Sequence, residues 1–145
     1  MDYFASFKIC ASGLEVQKAR MDVVTANLAN ISTTRTPEGG PYKKKVITLA
    51  SEQLKYKTRT PFDRRLREAM NKVRVDDVTE SQEGFNRVYD PSHPDADKGG
   101  FVAHPNVNLM TEMADMIMAN RAYEAVVTAF DSVKNMALKT LDIGK

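Results

Sequence analysis

Hydrophobic positions recur every three or four residues at both ends of this chain, and only there does the pattern persist over many turns. The first series runs Tyr3, Phe7, Cys10, Leu14, Gln17, Met21, Val24, Leu28 and Ile31, with Gln17 its one polar member. The second runs Leu109, Glu112, Met116, Ala119, Tyr123, Val126, Phe130, Val133, Ala137 and Thr140. Steps averaging about 3.5 residues place each series along one seam of a helix, as in helices that pack lengthwise on partners. The pattern predicts a first helix from Asp2 or Tyr3 to about Asn30, roughly 40 Å long at ~1.5 Å rise per residue. Gly13 within it is a local weakness that would let a neighbour approach closely. The run from Ile31 to Pro41, with two Pro and two Gly, ends this helix.

The second helix is predicted to begin near Asn106 or Asn108, both suitable N-caps, and to stop at Gly144. Leu109, Met110, Met113, Met116, Ile117 and Met118 occupy most of its circumference over the first turns. A helix apolar on more than one side must be covered on more than one side. The first helix can cover one face, and the remainder calls for other subunits.

Between the helices the pattern shortens. Tyr42 to Leu49, with Val46, Ile47 and Thr48, reads as a strand, and so does Lys72 to Thr79. A basic stretch from Lys55 to Lys72 separates them, in which Phe62, Leu66 and Met70 would line a short amphipathic helix. Asn86–Tyr89 reads as a short strand, Asp90 to Gly100 as a loop, and Phe101–Ala103 as a brief extended piece.

Composition changes this picture little. A chain of 145 residues, 42% hydrophobic and 28% charged, suits a single domain with a modest core and argues against wholesale disorder. The formal charge of +2 is too small to argue for nucleic acid or membrane as a partner. Its single cysteine excludes an intrachain disulfide, and Cys10 on the apolar seam reads as a small buried hydrophobe. Five of the eight methionines fall in the last third, where flexible thioethers suit surfaces that meet more than one neighbour. No cleavable secretory signal and no membrane-spanning run is visible, so composition alone points to the cytoplasm.

Candidate chemistry is sparse. Asp95 to Gly100 resembles the opening of a calcium loop, but Gly99 stands at the fifth position and Asn106 at the twelfth, where the bidentate Glu belongs. His93 and His104 are each followed by Pro in a polar loop, without the spacing of a metal site, and read as turn residues. Lys43, Lys44 and Lys45 read as a strand edge blunted by lysine, and Asp76 and Asp77 as solvated surface. No nucleophile elbow, phosphate loop or dinucleotide fingerprint is present, and nothing supports an enzyme, a cofactor or a small-molecule substrate. A basic nucleic-acid module using Lys43–Lys45 and Arg64–Arg67 lacks a recognition motif. A coiled-coil adaptor or export chaperone could share the terminal repeats, but would need no strand-rich middle.

Asn27 and Asn30, three apart near the end of the first helix, are more telling. They either hydrogen-bond to fix the chain's exit or its register with a neighbour, or they mark fraying into the Thr-rich loop. Ser12-Gly13-Leu14, Arg20-Met21-Asp22-Val23 and Ala26-Asn27-Leu28-Ala29-Asn30 resemble the N-terminal signature of the bacterial flagellar rod and hook proteins. Glu112 to Ile117, Asn120 to Ala125, Lys134 to Met136 and Leu141 to Gly144 resemble their shared C-terminal helix. The short length, with Asp90 to Asp97, Gly100 to Val102 and Pro105 to Val107, narrows the resemblance to a proximal-rod subunit. Two departures stand out: Val126, where the family often has Asn, and a basic connection longer than usual.

The resemblance implies a mainly α fold. Long N- and C-terminal helices (residues 1–31 and 106–145) pair as a coiled-coil-like α-hairpin. Residues 32–105 form a small β-containing middle segment with a basic insertion near 51–72. It implies a structural subunit of the proximal rod, assembling helically and transmitting torque from the membrane ring to the hook. The expected partners are further copies of the chain, the rod proteins FlgB and FlgF, the adaptor FliE and the flagellar export apparatus, with no nucleic acid. Export without a cleaved signal would place the rod in the periplasm. The assembly interface is expected at Phe7, Leu14, Met21, Asn27, Leu28 and Asn30 of the first helix. On the second it is expected at Met113, Met116, Ile117, Tyr123, Phe130 and Leu141.

Overall fold

The computed structural model describes residues 3–54 and 70–143. Among these, the elements follow the order α1 (Tyr3–Ala29), β1 (Lys45–Gln53), β2 (Asn71–Glu80), β3 (Asn86–Tyr89), β4 (Phe101–His104) and α2 (Leu109–Ile143). Helices of 27 and 35 residues outweigh the strands, so the chain is mainly α with a small β middle. The helix predicted around Phe62 and Leu66, and most of the basic insertion near 51–72, lie outside the described residues.

Local chemistry sets the helix ends. The Asn30 side chain donates back to the Ala26 carbonyl at 2.9 Å and accepts the Thr33 hydroxyl at 3.2 Å, closing the last turn of α1. Asn108 caps α2, its Oδ1 accepting the N–H groups of Met110 and Thr111 at 3.0 and 3.3 Å. Of the two caps that the sequence allows, Asn108 is the one used, while the Asn106 side chain donates to Glu83 Oε2 at 3.0 Å.

Contacts divide the chain into two units: Met1–Ala19 with Thr48–Asp77 and Ala119–Lys145, and Arg20–Ile47 with Val78–Met118. In the first unit the rings of Phe7 and Phe130 meet edge to face, centroids 5.0 Å apart. A Cβ on Gly13 would lie 3.4 Å from Cγ1 of Val126, so the helices approach closely where α1 has no side chain. Val126 thus packs its methyl groups against the gap that Gly13 leaves in α1. Among the described residues, Ala5, Val16, Leu54 and Ala119 are buried in this unit, and Val24, Val102, Pro105 and Val107 in the second.

On α2 every seam position from Glu112 to Ala137 is buried or half-buried. On α1 the seam from Phe7 to Leu28 is covered too, yet several of the best-buried residues lie beside it. Ala5, Ser12, Val16 and Asn27 form a second row that the apolar pattern did not reveal. Ser12 lines a groove of about 440 Å³ together with Glu52 at the end of β1 and Leu54 just beyond it, and Asn27 bonds Lys45 at the start of that strand.

The strands form two separate two-stranded sheets. Beside the first, Ser81 N–H donates to the Lys44 carbonyl at 2.7 Å and Leu54 N–H to that of Met70 at 3.3 Å. Lys43–Glu80 at 2.9 Å and Lys72–Glu52 at 3.2 Å add charge pairs across it. β1 begins at Lys45, three residues later than the hydrophobic pattern predicts, because Tyr42 is held elsewhere: its N–H bonds Thr33 O at 3.0 Å. It also runs on to Gln53, four residues beyond the predicted end. β3 and β4 pair antiparallel, Asn86 opposite His104 and Tyr89 opposite Phe101, around the Asp90–Gly100 loop.

That loop is organised by its aspartates. Asp97 Oδ1 accepts the N–H groups of Gly99 and Phe101 at 2.8 and 3.0 Å, and Asp90 Oδ1 accepts both the N–H and hydroxyl of Ser92. These hydrogen bonds hold both carboxyls below their ordinary pKa. His93 Nδ1 accepts the Asp95 N–H at 3.1 Å. Gly100 closes the loop at a φ of +77°, where a Cβ would lie 2.9 Å from the Tyr89 ring. A Gly100→Ala substitution should therefore lower the unfolding free energy by roughly 1–3 kcal/mol, from left-handed backbone strain and ring displacement. Gly84→Ala, whose Cβ would meet nothing within 4 Å, should change it little in the same urea titration.

Candidate functional site

The best-organised polar cluster lies in the second unit, where the end of α1, the start of β1 and the first turn of α2 meet. Asn27 is at its centre and is 1% exposed. Its Nδ2 donates to the Lys45 carbonyl at 2.9 Å and to Glu112 Oε2 at 3.1 Å. Its Oδ1 accepts the Lys45 N–H at 2.9 Å and the Tyr42 hydroxyl at 3.0 Å. Both donors and two acceptor directions of the carboxamide are used. By pairing with the N–H and C=O of one residue, the side chain acts as a single residue of neighbouring strand for Lys45.

Glu112 completes the cluster and is also 1% exposed. Its Oε1 receives no hydrogen bond of regular geometry, but the Lys44 ammonium lies 2.7 Å away and supplies the counter-charge. A carboxylate in the first turn of a helix is further favoured by the peptide dipoles. Lys44 keeps a quarter of its side chain exposed, so its charge remains partly hydrated. The lysine run is thus not one uniform solvated edge. Lys43 is exposed and pairs with Glu80, whereas Lys44 turns inward because a buried carboxylate needs a cation. Burial, then the charges of Glu112 and Glu80, raise the pKa of the Tyr42 phenol.

The cluster joins backbone and side chain from three segments, and its chemistry is that of a clamp. The sequence-predicted residues fall into three groups around it. Asn27 is fully engaged within the chain, and Asn30 closes the helix end, so this pair fixes the chain's exit. Phe7, Leu14, Met21, Leu28, Met116, Tyr123 and Phe130 are half-buried along the two seams. Met113, Ile117 and Leu141 are exposed, at 48%, 53% and 69%. Sequence reasoning did not assign Tyr42, Lys44 or Glu112 to a site. The available signal was Glu112 itself, an acidic residue inside an otherwise largely apolar seam.

A chain whose best-buried polar groups clamp two long helices to a strand is built as a structural element. Comparison with known proteins gives the same class. Residues 7–35 match the family model for flagella basal body rod protein, and residues 98–143 match that for the C-terminal region of flagellar basal body rod FlgEFG proteins. The flagellar basal-body rod protein FlgC of Bacillus subtilis is 41% identical, with all of both chains covered. That of Borreliella burgdorferi is 41% identical over 99% of this chain and 98% of its own. The Salmonella typhimurium protein is 35% identical over 96% of each. The chain belongs to the FlgC family of flagellar basal-body rod proteins: it is a structural rod subunit and not an enzyme.

Removing the centre of the clamp strands several buried groups at once. Asn27→Ala should cost about 2–4 kcal/mol in urea unfolding, and Glu112→Ala about 3 kcal/mol, with Lys44 regaining water in part. A phenol with a raised pKa favours the folded state below pH 10 and withdraws that support as pH rises through its folded value. Stability measured above pH 10 should accordingly fall more steeply in the parent chain than in Tyr42→Phe.

Proposed function

We propose that this subunit builds the proximal rod helically, through the two terminal helices, and passes torque from the membrane ring to the hook. The observation that carries this reading is the uncovered apolar face at the start of α2. Leu109, Met110, Met113, Ile117 and Met118 are all 48% exposed or more, while Glu112, Met116 and Ala119 on the same turns face inward. A monomer seldom leaves so contiguous an apolar surface unless another molecule covers it. In this reading residues 1–31 and 106–145 form a coiled-coil-like α-hairpin. Support comes from each unit separately, through Phe7 with Phe130, Gly13 with Val126, and Asn27 with Glu112. Residues 32–105 form the middle segment that packs beside it.

The exposed members of the interface, Met113, Ile117 and Leu141, contact neighbouring subunits. The half-buried seam residues and the two asparagines shape the surface presented. The partners are further copies of the chain and other rod components, FlgB, FlgF and FliE among them. The subunit passes through the flagellar export apparatus without a cleaved signal and assembles in the periplasm.

Electron microscopy of basal bodies tests this. A strain lacking the gene should build no complete rod, and the parent gene should restore it. A Met113→Glu, Ile117→Glu variant should fold, by circular dichroism and urea unfolding, yet leave rods missing and swimming lost. Intact rods in the deletion strain would overturn the reading.

A further inference from the structure

The uncovered face of α2 is unusual in being made largely of thioethers. Met110, Met113 and Met118 are 75%, 48% and 57% exposed, as is Met136, at 51%, further along the helix, whereas Met21 and Met116, on the helix seams, are half-buried. Methionine sulfur is a soft two-electron nucleophile, and its oxidation follows access. We propose that Met110, Met113 and Met118 form an oxidation-sensitive set on the unassembled subunit, and that their conversion to sulfoxides by a hydroperoxide blocks docking. The proposal rests on the reading of this face as an assembly surface, and adds a modification that acts on it.

The chemistry needs only the peroxide. A sulfur lone pair attacks the terminal peroxide oxygen, the O–O bond breaks, and an S–O bond forms. Sulfur is oxidised by two electrons, and hydrogen peroxide is reduced to water, keeping both protons. Each product carries a strong acceptor oxygen where the apolar face had none. Burying that oxygen without a donor weakens docking by roughly tenfold per site. Leu109 and Ile117 lie on the same face and offer no donor. Docking in turn removes the sulfurs from solvent, so the free subunit is the vulnerable form and the assembled one is protected.

Two measurements test this. The purified chain is treated with hydrogen peroxide and each methionine is followed by peptide mass spectrometry. Met110, Met113 and Met118 should oxidise several-fold faster than Met21 and Met116; equal rates would overturn the proposal. Cells are then given a peroxide pulse during rod assembly, and basal bodies are counted by electron microscopy. The parent chain should lose rods, while a variant with Met110→Leu, Met113→Leu and Met118→Leu should assemble without peroxide and resist the pulse. Equal losses in both would remove the oxidation proposal and leave the assembly reading intact. Normal rods in the Met113→Glu, Ile117→Glu variant would overturn both.

Discussion

The carboxamide of Asn27 holds four hydrogen bonds in a site closed to water, and the geometry around it follows from satisfying all four. Two go to the backbone of Lys45, one to Tyr42 and one to Glu112. A buried amide left half-paired would be destabilising, so α1, the start of β1 and α2 are held in one relation. Glu112 brings a negative charge into the same site, and Lys44 is drawn inward to balance it. Neither Asp nor Leu at position 27 could replace the amide: Asp would oppose a second carboxylate and lose both donors, and Leu would leave Lys45 unpaired.

Such a clamp suits a protein whose surface is meant for partners. Among the described residues apolar burial is thin: the largest fully buried side chains are Glu112, Val102 and Asn27, two of them polar. Much of the apolar surface of α2 remains exposed. A chain that holds hydrophobic surface in reserve for neighbours has less of it to hold its own elements together. Directional polar contacts then set the local fold. Membership in the FlgC family of flagellar basal-body rod proteins gives this division of labour its setting.

The same division explains the middle of the chain. The Asp90–Gly100 loop is stabilised by carboxylates accepting backbone N–H groups and by a glycine pressed against Tyr89, with little hydrophobic burial of its own. Asp90, Asp97 and His93 build its turns by accepting backbone N–H groups, while His104 belongs to β4. The charged residues flanking the first sheet pair across it, as Lys43–Glu80 and Lys72–Glu52 do.

Long-range periodicity made the helices, their ends and the α2 seam legible from residues alone, because a seam sustained over many turns is a repeated signal. The short strand Asn86–Tyr89 and the Asn108 cap were legible as well, since turn and cap chemistry is local. Tertiary structure alone decided the second buried row of α1, Ala5, Ser12, Val16 and Asn27. Ser12 and Asn27 carry no hydrophobic signature, and Asn27 is enclosed by partners on β1 and α2 that lie far along the chain. Tertiary structure also decided the inward turn of Lys44, which answers to Glu112, and the late start of β1, where Thr33 and Asn27 hold Tyr42. Periodicity reports what each segment could bury; which polar groups must meet depends on contacts between segments.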